Sequence, residues 1–375
     1  MQFGVLTLTF CGDIYLIYFN RIVLPGRRKA MTLLNMRRLF FWVAVVCVPI
    51  LVSLPGISGR GLHAHDALKG LEKSFFSDPT IIHEMPEGWE NKPVRHEPSA
   101  ADADIAVSLD QHLYPLFLPV IQEYAKKNNL KIAVSEGTCG IVTGMVERKT
   151  VDIGGLCCPP GKIDRLPGLK FLTAGIAPVA LLVHPGNSID NVTLEEARNI
   201  FKGKTLRWSD IKTPGGKKGP DIPIKPVGRL HCKLRPAEWQ LLLPGEDLFG
   251  PGLTEVGAIP DMISQVAREP GAIGYEVTWN MARFKDKGNV KAIKINGYSP
   301  YDHARVIEGR YPLFRVYTFS IWEGKGVENP GAGKLVKFLL QETERLSGEH
   351  NVVPASRLRK AGWKFFGDEL TGGPQ

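Results

Sequence analysis

"LKIAVSEGTCGIVTGMVERKTVDIGGLCCPPG", residues 130–161, decides the fold. "LKIAVSE" alternates in the manner of a strand. A turn at Gly137 and Thr138 opens a segment of helical spacing, and "VDIGGL" is a second short apolar strand, stopped by Pro159 and Pro160. Just upstream, "ADIAVSL" and "YPLFLPVIQEYAKKNN" repeat the strand-then-helix order. Such alternation predicts an α/β chain with a mainly parallel sheet covered by helices. In open sheets of this kind ligands lie beyond the C-terminal strand ends, where loops turn into helix N-termini. Cys139 and the pair Cys157 and Cys158 fall in two such loops.

The composition supports a globular chain: 375 residues, 43% hydrophobic and 23% charged, are enough for two domains with cores of their own. The net charge of +9 is not a nucleic-acid footprint. Residues 1–64 hold seven basic residues against one acidic, which leaves 40 basic and 37 acidic residues in the body, a net +3. Trp208 and Trp239 read as packing residues rather than base-stacking platforms, so no nucleic acid is expected as partner.

Arg37 and Arg38 precede an apolar run from Leu39 to Leu54, followed by small and polar residues up to Ala64. A positive segment, an apolar segment and a small residue at a cut site make an export signal. Residues 1–64 are therefore read as a leader, and the mature protein as periplasmic or otherwise exported. It would be membrane-anchored if the leader is not cleaved. The earlier patch "VLTLTFCGDIYLIYF" fits poorly ahead of a signal, which places the true start at Met31 or Met36. Export favours disulfides over idle thiols, and four cysteines remain in the body: Cys139, Cys157, Cys158 and Cys232.

Residues 65–103, rich in Pro, Glu, His and Lys, read as an extended surface arm. Beyond the quoted stretch, "GIAPVALLVHPGNSI" is a long apolar strand able to cross between lobes. Thr193 caps a helix with Glu195 and Glu196 in its first turn, another helix stops at Pro270 and Gly271, and "YPLFRVYTFSIW" returns across the molecule.

The motifs "SEGTCGIVTGMVERKTVDIGGLCCPP", "VALLVHPGNSIDNVTLEEARNIFKGKTLRWSDI", "IKPVGRLHCKLRPAEW", "VAREPGAIGYE" and "YPLFRVYTFSIW", with "LYPLFLPVIQEYAK" before them, resemble the type II periplasmic solute-binding proteins. Within that family they are similar to the phosphate-binding component of phosphate-type ABC transporters. The resemblance spans residues 104–345. It implies two α/β lobes, each a mainly parallel sheet flanked by helices, joined by two crossover strands with the ligand clamped between them. The resulting division is lobe 1 over 104–181 plus 304–355, lobe 2 over 182–303, and a C-terminal tail over 356–375.

The resemblance also implies an anion held by hydroxyls, helix N-terminal amides, an arginine and an aspartate. Arg229 stands where the family arginine would be. "CKLR", Cys232 to Arg235, replaces the family's small-residue turn. Gln111 and His112 stand where a Ser/Thr run is expected; His112 is read either as a ligand donor or as a helix cap. Thr138 and Gly140 offer a hydroxyl and amides, and His231 lies beside Arg229. Cys157 falls at the position of the family aspartate or of a ligand serine.

Cys139, Cys157 and Cys232 thus bring thiols to three loops near the cleft, and two readings stand open. One is a disulfide between Cys139 and Cys157 or Cys158. The other is a site for a soft metal or metalloid, such as copper(I), zinc or arsenite, on Cys139, Cys157 and Cys232, with His231 or His112 added. An enzyme acting through a Cys–His pair is weaker, since neither a CxxC nor a triad spacing occurs. The sequence therefore predicts a non-catalytic, cofactor-free, monomeric receptor. It would capture a small oxyanion or, second, a soft metal, and present it to a membrane permease or sensor.

Overall fold

The computed structural model describes residues 75–212, 218–231, 235, 237–324 and 326–374, and the backbone of 4–10 and 13–19. The apolar run of the leader, both proposed start residues, Cys232 and Lys233 lie outside the described residues. The chain divides into two compact units, 1–59 and 60–375. Within the first, Gly4–Phe10 and Asp13–Phe19 pair as an antiparallel hairpin.

The second unit contains β1 (Ile105–Asp110), α1 (Leu113–Asn128), β2 (Ile132–Gly137), α2 (Cys139–Glu147), β3 (Ile153–Leu156) and β4 (Leu169–Val183). Next come α3 (Leu194–Phe201), β5 (Lys225–Gly228), α4 (Ile259–Arg268), β6 (Ala272–Val277), α5 (Thr278–Arg283) and β7 (Lys291–Ile295). β8 (Phe314–Trp322) and α6 (Pro330–His350) complete the main elements. All of the named strands join one sheet in the order β2-β1-β3-β8-β4-β6-β5, with β7 also on β4.

The helices follow their apolar spacing. α1 buries Leu113, Leu116, Phe117, Val120 and Ile121, one stripe at three- and four-residue intervals. α3 starts as a capping box: Thr193 Oγ1 accepts the Glu196 N–H at 3.0 Å while Glu196 Oε2 accepts the Thr193 N–H at 2.7 Å.

Lobe 1 carries β1 between β2 and β3, parallel to both. Lobe 2 carries the parallel pair β5 and β6. Where the lobes meet, the sheet is antiparallel, because β4 runs from one half into the other and opposes β6, while β8 opposes β3 and the lobe 1 part of β4. Leu169 to Pro178 of β4 pair with β8, and Val179 to Val183 pair with β6. The changeover thus falls at Pro178, which has no N–H to give to a ladder.

Two segments outside the lobes are docked more closely than their composition foretells. In the arm, Phe75, Phe76 and Trp89 are buried. The Lys149 ammonium donates to the carbonyls of Trp89, Glu90 and Lys92 at 3.1, 2.9 and 2.9 Å and lies 4.2 Å from the Trp89 ring centroid. Residues 356–375, set apart as a tail from sequence, include the hairpin Trp363–Phe366 and Glu369–Pro374, which packs on lobe 1. Trp363 and Leu370 are buried there, and Arg165 holds Glu369 with two hydrogen bonds of 2.6 and 3.0 Å. The tail boundary is corrected accordingly: apolar residues at Trp363 and Leu370 draw the segment into the core.

Candidate functional site

The site starts at the C-terminal end of β1. Asp110 is buried and Oδ1 accepts the N–H groups of His112 and Leu113 at 2.9 and 3.0 Å. The aspartate, not His112, satisfies the first donors of α1. His112 has helical backbone angles at the N-cap and makes no side-chain cap bond. The cap reading of His112 is therefore overturned, and its imidazole turns toward lobe 2, where Nε2 lies 3.1 Å from Glu276 Oε1. Glu276 interrupts an otherwise apolar β6 and also accepts the Val277 N–H at 2.8 Å and Asn280 Nδ2 at 3.2 Å.

Asp110 Oδ2 accepts the backbone N–H of Cys157 at the end of β3 and lies 3.5 Å from Cys139 Sγ at the start of α2. The two sulfurs are 3.9 Å apart. A disulfide holds its sulfurs about 2.05 Å apart, so Cys139 and Cys157 are in contact without being bonded to each other. Arg315 of β8 donates through Nη1 to Cys157 Sγ at 3.1 Å and through Nη2 to the Glu238 carboxylate. Cys157 faces this cluster, and the adjacent Cys158 is buried as well.

Arg229 enters from lobe 2, in the loop after β5. Its backbone N–H donates to Tyr275 Oη at 3.0 Å. The side chain is 2% exposed, yet neither Nη1 nor Nη2 has a hydrogen-bond partner among the described residues. Buried guanidinium nitrogens are costly to leave unpaired, so this fork is built to meet an acceptor.

Burial and charge set the proton balance. Burial, reinforced by the Cys157 charge, pushes the Asp110 carboxyl up to about 7. Burial and Arg315 oppose a charge on His112, but Cys157 and Glu276 outweigh them and raise it to about 9. Burial also opposes ionisation of Glu276; the hydrogen bond and charge of His112, with Arg229 and Arg315, hold it well below the usual carboxylate range. Cys157 is disfavoured as thiolate by burial, yet Cys139, Arg315 and His112 together draw its thiol well below the ordinary value. Protons at Asp110, His112 and Cys157 are thus shared by a coupled set.

The structure brings together His112, Cys139 and Cys157, and puts the Arg229 charge close enough to bear on Glu276. Thr138 and Gly140 are exposed at the start of α2, where Thr138 Oγ1 accepts the Ile141 N–H at 3.3 Å. Gln111 is half-buried, and its carbonyl accepts from Arg283 Nη1 at 3.5 Å. His231 is half-buried, and Nδ1 lies 3.2 Å from the Arg229 carbonyl. Cys232 lies outside the described residues.

Sequence reasoning passed over Arg315, Glu238 and Glu276. The signal was present in two of them: a charged residue inside the apolar strands "LFRVYTF" and "AIGYEV" cannot face a dry core alone. Arg235, the last residue of "CKLR", reaches from the lobe 2 loop to Asp164 of lobe 1, through Nη2 at 2.7 Å and Nε at 2.9 Å, and to Thr143 Oγ1 at 2.6 Å.

Two lobes on two crossover strands, with charged groups of both converging on their junction, define a type II solute-binding protein. The sequence profile of the PBP superfamily domain matches residues 95–343, and the chain belongs to that superfamily. Phosphate-binding protein PstS of Bacillus subtilis (strain 168) is 25% identical over 229 residues, 60% of this chain and 72% of that protein. Phosphate-binding protein PstS 2 of Streptococcus agalactiae is 21% identical over 119 residues, covering 31% of this chain and 40% of its own.

Among solved structures, an ABC-type phosphate transport receptor from Vibrio cholerae superposes with a TM-score of 0.53 at 17% identity, covering 66% of this chain and 99% of its own. A protein of Clostridium perfringens with bound phosphate, described as a phosphate ABC transporter substrate-binding protein, gives 0.56 at 18% identity, covering 67% and 99%. These likenesses bear on the fold. Among the described residues no helix is long and apolar enough to cross a membrane.

Proposed function

We propose that this protein is an exported receptor that closes its two lobes over a small oxyanion of the phosphate class, anchored by Arg229, and presents it to a membrane permease or sensor. The observation that carries the reading is the buried Arg229 fork, whose terminal nitrogens meet no acceptor among the described residues. Arginine offers a planar set of donors matched to tetrahedral oxyanions. The phosphate-binding names of the relatives give the anion class its support. In this reading the protein binds and releases and does no chemistry on its ligand.

Titration calorimetry of the full chain with phosphate, arsenate and sulfate tests this. Wild type should bind at least one of the three, and Arg229→Ala should weaken that binding by roughly 10- to 100-fold, the worth of charge-assisted hydrogen bonds at about 1.5–3 kcal/mol. No binding to wild type, or equal binding by the variant, would sink the proposal.

A further inference from the structure

Asp110, His112, Cys139 and Cys157 are brought together from three loops at the C-terminal edge of lobe 1, after β1, β2 and β3. Cys139 Sγ lies 3.5 Å from Asp110 Oδ2 and 3.9 Å from Cys157 Sγ. One ligand atom each of Asp110, His112 and Cys157 lie within 4.8 Å of one another. A tetrahedral zinc ion, with bonds of about 2.3 Å to sulfur and about 2.0–2.2 Å to nitrogen and oxygen, sets its ligand atoms roughly 3.4–3.8 Å apart. The two Cys139 separations lie near that spacing, and the ligand atoms of Asp110, His112 and Cys157 are close enough to reach it with small side-chain adjustments. We propose that these four residues form a site for one borderline-soft divalent cation of the zinc type, bound by two thiolates, one imidazole and one carboxylate.

The surroundings fit a cation held this way. His112 Nε2 is engaged by Glu276, which leaves Nδ1 for the metal and fixes the ring, the carboxylate–histidine–metal arrangement common at such sites. Asp110 is oriented by the two backbone N–H groups on its other oxygen. Arg315 donates to Cys157 Sγ, and its positive charge offsets the single negative charge left when two thiolates and a carboxylate surround a divalent ion. Each thiol gives up its proton as its sulfur binds. This set differs from one built on the three thiols of Cys139, Cys157 and Cys232: it is complete within lobe 1 and needs no lobe closure. It goes beyond the oxyanion reading, whose anchor Arg229 is not among the ligands.

The test uses the full chain, reduced, stripped with a chelator and held in phosphate-free buffer, so that anion binding plays no part. Titration with Co2+ should give one ion per chain, with the thiolate-to-cobalt charge-transfer band and intense d–d bands of tetrahedral coordination, and Zn2+ should displace it. Cys139→Ser should remove about half of the charge-transfer intensity, since one of two thiolates is lost. His112→Ala should keep the band and weaken binding at least ~10-fold. No charge-transfer band in wild type, or an undiminished band in Cys139→Ser, overturns the site. Should the variants misfold, alkylation of wild type decides: Zn2+ should shield Cys139 and Cys157, located by peptide mapping, and equal labelling of both with and without Zn2+ overturns the proposal.

Discussion

Arg229 and Arg315 are both buried, but Arg315 donates to Cys157 and Glu238 while the terminal nitrogens of Arg229 have no hydrogen-bond partner among the described residues. Around them, His112 and Glu276 form a buried pair whose charges depend on each other. The signs follow from the direction of each shift. Glu276 is depressed, so its contribution to stability is present above its unfolded pKa and is lost as pH falls. His112 is raised from 6.5 to about 9, so its contribution is complete below about 6.5 and is lost as pH rises through about 9. Asp110, raised to about 7, works the other way for a carboxyl and removes stability as pH climbs from about 4 to 7. Cys157, drawn down, acts in the opposite sense as pH rises toward its ordinary value, so in chelator-treated protein it is the stability advantage of wild type over His112→Gln that should shrink between about pH 7 and 9. Parallel melting curves for the two would contradict the pairing. Arg229 was legible in the sequence because it sits in a motif, "VGRLHC". Glu238 was not, since nothing in "RPAEW" shows that its side chain meets a residue 77 positions away.

At the scale of elements, Lys149 is one of several ties between the arm and lobe 1, beside Trp89 Nε1 on the Glu147 carbonyl and His96 on Asp152. It donates three hydrogen bonds to the carbonyls of Trp89, Glu90 and Lys92 and lies against the rings of Trp89 and Trp322. Lys149→Ala should cost about 3 kcal/mol, in the range for loss of several charge-assisted bonds at a buried ammonium. Limited proteolysis should then release residues before 95 well before lobe 1 is cut; unchanged stability and cleavage would show that Phe75, Phe76 and Trp89 hold the arm without it. Gly175 is a second sensitive point: a Cβ there would lie 2.3 Å from the Val353 carbonyl oxygen, where Val353–Pro354 pairs with β4. Helices and the long strands were readable from periodicity and caps, as at Thr193. The C-terminal hairpin was not, because its strands are short, shift register twice and gain their burial from docking rather than from a pattern of their own.

The whole molecule is organised by β4, which leaves lobe 1 and enters lobe 2 in one 15-residue run. Three buried ion pairs span the junction: His112 with Glu276, Arg315 with Glu238, and Arg235 with Asp164. Breaking a buried pair by removing one partner costs about 3–5 kcal/mol. Asp164→Ala should therefore lower stability by that order and loosen the lobes, seen as a larger radius of gyration by small-angle scattering; an unchanged radius would mean that this latch does not hold the closed form. Two lobes joined by crossover strands were legible from the order of motifs. Which charges meet across the gap was not, since that depends on how two separately folded lobes face each other.

The most direct test of the central claim is a crystal structure grown with arsenate, whose arsenic is located by anomalous scattering. The account predicts a peak between the lobes within hydrogen-bonding reach of Arg229 Nη1 and Nη2, lost in Arg229→Ala crystals. A peak confined to the outer surface, or one that persists between the lobes without that guanidinium, would contradict it.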